Sequence, residues 1–167
     1  ETAMPGEVLL AAFLLQLPPL ASSYPTGAPA SACADMTPHH GGAQAQATPA
    51  PYTIYISNHT FRVDEPITVT IKGPNYTGLL LRAQSSSRAD ALGVWQPPPA
   101  NTKYLHCSGN AHGAITHSNI EGTTGWILFQ PELTASVSLC FRATVAQEKT
   151  VFWVNIKSES LTRGELK

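Results

Sequence analysis

The sequence predicts an all-β protein, an antiparallel β-sandwich preceded by an extended N-terminal arm. Three observations carry that expectation. From residue 52 onward the chain breaks into nine short runs rich in Val, Ile, Thr, Tyr, Phe and Trp, each bounded by Gly, Pro, Asn or Asp. No window shows an apolar period of about 3.6 residues flanked by capping residues, so no amphipathic helix is expected. Residues 24–51 are mostly Pro, Ala, Gly, Ser, Gln and Thr with almost no large aliphatic side chains, which suits an arm lying over the body and excludes a helix or strand of any length. Short strands without helices bury their apolar faces most simply as two packed sheets.

The first element precedes the arm. Residues 4–23 read as a cleavable secretory leader. An apolar stretch over residues 8–17 is too short to span a bilayer, Pro18 and Pro19 break it, and Ala21-Ser22-Ser23 supplies small residues for a peptidase. The segment departs from the usual pattern in carrying Glu7 and no Lys or Arg near its start; with Met4 as initiator, Glu1-Thr2-Ala3 are extra residues. The organisation expected is therefore a leader over 1–23, one domain over 24–158 and a tail or stalk over 159–167, with the mature chain starting at Tyr24. The compartment follows: secreted, or on the extracellular face of the plasma membrane.

The predicted strands are 52–57, 67–72, 78–84, 93–95, 103–105, 114–117, 125–130, 136–145 and 150–156. Ile67-Thr68-Val69-Thr70-Ile71-Lys72 alternates cleanly between apolar and polar, as a strand with one buried face does. Val151-Phe152-Trp153-Val154-Asn155-Ile156 alternates less, which predicts burial on both faces. Residues 145–150 join two strong runs as a hairpin, Asp64-Glu65-Pro66 and Gly73-Pro74-Asn75 are turns, and 96–101 is a rigid proline crossover that cannot enter a sheet interior. Trp95, Trp126 and Trp153 are expected in the core; Tyr24, Tyr52 and Tyr76 are expected at the surface or partly buried.

Composition excludes several functions. A net charge of −1 with 13% charged residues leaves no basic stripe for nucleic acid and no polybasic cluster for lipid. After the leader, apolar runs such as 126–129 and 151–154 fall far short of the about 20 residues that cross a membrane. Three cysteines allow one bond and one remaining thiol, and the sequence alone permits all three pairings among Cys33, Cys107 and Cys140. A Cys33–Cys107 bond would close a loop of about 74 residues, worth about 4 kcal/mol by chain entropy, and would tie the arm to the body. Cys140 would then be either free or paired with a cysteine beyond Lys167.

Candidate sites are few. Asn58-His59-Thr60 and Asn75-Tyr76-Thr77 are N-glycosylation sequons at strand ends. His39, His40, His106, His112 and His117 invite a metal reading, but they lack the spacing of a zinc site, and solvated or core-packed histidines are the expectation. Asp35, Asp64, Glu65, Asp90, Glu121, Glu132 and Glu148 are scattered, and no nucleophile elbow or phosphate-binding glycine loop is present. No catalytic residue, metal or cofactor is therefore assigned.

Tyr24-Pro25-Thr26-Gly27-Ala28-Pro29, Cys33 and Met36-Thr37-Pro38-His39-His40-Gly41 together resemble the opening of the reeler (reelin N-terminal) domain. The resemblance continues through Ala50-Pro51-Tyr52-Thr53, residues 67–84, Leu92-Gly93-Val94-Trp95, Cys107-Ser108-Gly109, Ala114-Ile115-Thr116-His117-Ser118 and residues 141–158. It implies an immunoglobulin-like sandwich whose arm is bonded to the body through Cys33 and Cys107. In some relatives the strand of Cys140 forms a second bridge to a cysteine past the last strand, for which this chain has no partner. The family includes a matrix signalling glycoprotein, an adhesive spondin, insect immune-induced proteins and ferric-chelate-reductase-like membrane proteins whose haem chemistry resides in other modules. The expected role is an extracellular binding module without catalysis of its own, acting on a protein or matrix partner the sequence does not identify. The alternatives are a truncated ectodomain of a ferric-reductase-like or single-pass membrane protein, and a secreted defence protein.

Overall fold

Side-chain alternation sorts the strands into two packed sheets. The computed structural model describes residues 24–63, 65–85, 92–122, 127–131 and 138–164. The expected leader at 1–23 lies outside the described residues, as do Asp64, Asp90, Trp126 and Glu132. The strands are β1 (Thr53–Ile56), β2 (Thr60–Phe61), β3 (Ile67–Lys72), β4 (Gly78–Ser85), β5 (Val94–Trp95), β6 (Thr102–Cys107), β7 (Asn110–His117), β8 (Ile127–Gln130), β9 (Ser138–Glu148), β10 (Val151–Lys157) and β11 (Leu161–Arg163). The arm contains one short 3-10 turn, Ala30–Cys33.

One sheet has the order β1-β3-β8-β5; the other has β2-β11-β9-β4-β7-β6, with β10 also paired to β9. In β3, Ile67 and Val69 point inward while Thr68 and Thr70 lie on the outer face, so the alternation in the sequence becomes one dry and one wet side. Ile54, Ile67, Val69, Ile127 and Phe129 of the smaller sheet meet Leu79, Leu81, Leu139, Phe141 and Val145 of the larger one in a continuous core. Its centre is aromatic: Trp95 and Phe129 lie 4.9 Å apart between ring centroids, Phe129 and Phe141 5.2 Å, and Trp95 and Phe141 5.7 Å. Phe152 and Trp153 are both buried, so β10 is covered on both faces as its weak alternation implied.

Three features depart from the sequence expectation. The segment expected as a tail or stalk carries β11, whose Leu161 is fully buried and sits opposite Leu139. Backbone bonds from Thr162 N–H to His59 O and from Gly164 N–H to Phe61 O, both 2.9 Å, hold it beside β2. A single leucine among polar residues gives no periodic signal, and main-chain pairing compensates. β2 and β11 run parallel, the one exception to an otherwise antiparallel pairing scheme among the described strands. Tyr52 and Tyr76 are buried, not superficial: their rings meet edge to face at 6.0 Å, and Tyr52 meets Trp153 at 5.7 Å. An aromatic cluster supplies there the area that a lone tyrosine at a strand end would lack.

Gly93 shows how tightly the aromatic centre is closed. Its φ is +66°, and a Cβ would stand 2.2 Å from Phe129 Cζ and 2.6 Å from Gln130 O. Gly93→Ala is expected to destabilise the fold by at least about 2 kcal/mol, read from the urea midpoint, because it combines a left-handed backbone with a steric overlap.

Candidate functional site

The larger sheet has a second face, pointing away from the sandwich core, and the arm covers it. Strand pairing places Leu80 beside Thr144 and Thr116, Arg82 beside Arg142 and Ala114, and Gln84 beside Cys140. In a bare sandwich these residues would meet water. Here Ala32, Cys33 and Met36 of the arm pack on Leu80, Cys107 and Ala114 as a small second core. The Cys33–Cys107 disulfide pins this cluster, with Cα atoms 5.7 Å apart across a separation of 74 residues. The family resemblance implied that bond.

Polar ties continue the attachment along the arm. Arg82 is almost fully buried; its guanidinium donates to Cys33 O and to Gln84 Oε1, the latter at 3.3 Å. Thr144 Oγ1 donates to Met36 O, and Arg142 donates to Asp35 O at 3.3 Å. Nearer the start of the arm, Ala28 N–H donates to Thr116 Oγ1, whose own hydroxyl donates to Leu79 O, each at 2.8 Å. His117 is buried between sheet and arm: Nδ1 accepts from Leu79 N–H at 3.1 Å and Nε2–H donates to Tyr24 O at 2.7 Å. Both ring nitrogens are thus engaged, with Nδ1 also 3.2 Å from Leu79 O. Further along, His40 Nδ1–H donates to Lys149 O at 2.8 Å, Gln46 N–H to Phe152 O at 2.9 Å, and Trp153 Nε1–H to Thr48 Oγ1 at 3.3 Å. Buried carbonyls need partners, so these bonds fix the path of an arm that has no secondary structure of its own beyond one 3-10 turn and a few short turns.

The seal is incomplete. A cleft of about 90 Å³ remains between arm and sheet, lined by Ala28, Pro29, Met36, Leu80 and Ala146, with His40, Glu148 and Lys149 also on its wall.

The remaining candidates lie apart. Asn58 and Asn75 are exposed, Asn58 past the end of β1 and Asn75 past the end of β3, at opposite ends of the pair those strands form. Thr77 of the second sequon donates its hydroxyl to Gln147 O at 3.0 Å. The histidines do not converge: His39 contacts Asp35 at 2.8 Å, His59 contacts Glu159 at 3.2 Å, and His112 stacks on Tyr104 at 3.8 Å. His106 is exposed. Among the described residues no group of three or more His, Cys, Asp or Glu is placed to hold a metal ion. Burial opposes the charge of Asp35, but the Thr37 N–H and the His39 imidazole outweigh it and hold the carboxyl below its ordinary value. His117, expected to be solvated or core-packed, is buried against the arm, and the contact of Thr116 with Ala28 was not foreseen; two polar residues ending an apolar strand were the available signal.

Cys140 is a buried free thiol on the arm-side face, near Arg142 and Lys157. Burial raises its pKa above 9.0, against the pull of those two cations. The fold thus favours the neutral thiol, and that contribution is complete below the ordinary cysteine range and lost as pH rises through the folded value. Cys140→Ala should therefore flatten the alkaline side of a melting-temperature profile between about pH 8 and 10, relative to the unsubstituted chain.

A two-sheet β-sandwich with an arm clipped across its outer face is a defined class of domain. The chain belongs to the reeler family: the Reeler domain model matches residues 31–166. The crystal structure of the human F-spondin reeler domain (fragment 1) covers 73% of this chain and 94% of its own, with a TM-score of 0.59 at 12% identity, which supports the fold. A relative from Antheraea mylitta is 36% identical over 149 residues, 86% of this chain and 88% of its own. A defense protein of Drosophila melanogaster is 33% identical over 140 residues, 79% of this chain and 84% of its own. Ferric-chelate reductase 1 of Bos taurus is 30% identical over 161 residues; they are 91% of this chain and 26% of that protein, so the chain spans about a quarter of it. No helix among the described residues is long and apolar enough to cross a membrane.

Proposed function

We propose that this chain is an extracellular interaction module that works through its surface and has no catalytic activity of its own. The observation that carries the reading is the arm: a covalent clip and a row of buried hydrogen bonds hold it rigid over the sheet. Rigid presentation of a fixed surface favours binding, since little conformational entropy is lost on contact. A disulfide suits an oxidising compartment, in keeping with a leader over 1–23 and with glycans at Asn58 and Asn75. The partner is an extracellular protein or matrix component.

Two other readings have specific support. Similarity to the Drosophila defense protein over most of its length favours a secreted defence role. Similarity to a quarter of the bovine ferric-chelate reductase favours a part of a larger protein of that kind, with any redox chemistry lying outside this chain.

Expression of residues 1–167 in an animal cell line tests the proposal. Protein recovered from the medium should begin at Tyr24, lose mass with a peptide N-glycosidase, and bind cell-deposited matrix saturably while reducing no ferric citrate in the presence of NADPH. Retention in the cytosol with residues 1–23 intact, or ferric reduction by the isolated chain, would overturn it. Binding to bacterial surfaces in place of matrix would favour the defence reading.

A further inference from the structure

We propose that the cleft under the arm is a binding site for a small, neutral, largely apolar molecule carrying one hydroxyl group, such as a phenol or a short branched alcohol. Three observations select that chemistry, and none depends on what the outer surface binds. The first is the lining, in which Ala28, Pro29 and Met36 of the arm face Leu80 and Ala146 of the sheet. Ile120, 61% exposed, extends the apolar surface to the rim. Such a wall favours hydrocarbon.

The second is charge. The charged side chains on the wall are Glu148 and Lys149, adjacent in sequence and opposite in sign. Their charges sum to zero, so the wall carries no net charge to offset the desolvation of an ion.

The third is the hydrogen-bond inventory. His117 uses both nitrogens, on Tyr24 O and Leu79 N–H, and the Thr144 and Thr77 hydroxyls are donated to Met36 O and Gln147 O. His40 differs. Its Nδ1 must carry the proton to bond Lys149 O, which leaves Nε2 as an acceptor in the neutral ring. Tyr24 at 5.6 Å and Phe152 at 6.1 Å hold that ring between them. His40 Nε2 is thus an acceptor on the cleft wall, and its complement is one hydroxyl donor. Size sets the rest. At about 90 Å³ the cleft is smaller than an engineered cavity of about 150 Å³ that encloses benzene, so it takes one edge of a ring or a branched chain end, with the rest of the molecule and its hydroxyl toward the mouth.

The test is a protein-observed NMR titration of the intact, disulfide-bonded chain with p-cresol and with toluene. p-Cresol should shift the methyl signals of Ala28, Leu80 and Ala146 saturably with a Kd on the order of 1 mM, as expected for a ligand of this size. Toluene should bind about tenfold more weakly, for loss of one hydrogen bond. His40→Phe, which keeps an aromatic ring between Tyr24 and Phe152, should erase the difference, and Ala28→Leu should abolish both by filling the cleft. If Ala28→Leu does not fold, Ala146→Leu fills the cleft from the sheet side. Absence of saturable shifts, equal affinity for the two probes in the unsubstituted chain, or binding that survives a folded filled variant would each overturn the proposal.

Discussion

Cys33→Ser should lower the stability of the domain by about 4 kcal/mol, the chain-entropy value for a loop of 74 residues. In calorimetry this corresponds to a fall in Tm of roughly 10–20 °C for a chain of this size. Entropy is only part of the loss. Without the bond, Ala32 and Met36 are held on Leu80 and Ala114 by packing alone, and Arg82 risks losing the Cys33 carbonyl that its guanidinium meets. Arginine buried to this degree depends on fixed acceptors, and an arm free to leave would expose that dependence. Hydrogen exchange should show the same asymmetry: amides of the arm, Ala28 N–H among them, lose protection, while β3 and β8 in the opposite sheet keep theirs. Cys107→Ser should match Cys33→Ser. Cys140→Ala, which removes a small buried thiol and no cross-link, should cost far less.

Phe141→Ala should destabilise by about 4 kcal/mol, within the range for deleting a buried aromatic ring. Phe141 is fully buried in β9 and touches both Trp95 and Phe129, so its removal leaves a void between the sheets that rigid neighbours cannot close. Urea denaturation followed by tryptophan fluorescence measures this directly, because Trp95 packs against the deleted ring. Leu128→Ala, on the outer face of β8 and 37% exposed, is the contrasting control and should shift the midpoint little.

Most of the body was legible in the sequence because its strands alternate or are edged by turn residues. β3 matches its expected bounds, and β1, β4, β5, β6, β7 and β10 overlap theirs with shifts at the ends. β2 and β11 were illegible for a physical reason: each buries one apolar side chain, Phe61 and Leu161, and two or three residues are too few for an alternation to show. Tyr52 and Tyr76 misled because tyrosine sits equally well at a surface or in an aromatic cluster, and only the approach of Trp153 decides. At the site, three cysteines alone left three pairings open, and the family resemblance selected the one observed. Arg82 reads in sequence as an ordinary strand arginine; its burial depends wholly on where the arm lies. The same holds for His40 and His117, whose roles arise from contacts across 109 and 93 residues.

The central claim, that sulfur fastens the arm to an all-β body, is tested most directly by a non-reducing peptide map of the purified protein alkylated before and after unfolding. The account predicts one cross-linked pair of peptides containing Cys33 and Cys107, with Cys140 alkylated only once the chain is unfolded. A bridge from Cys140 to either of the other cysteines, or a Cys33 peptide alkylated in the folded protein, would contradict it.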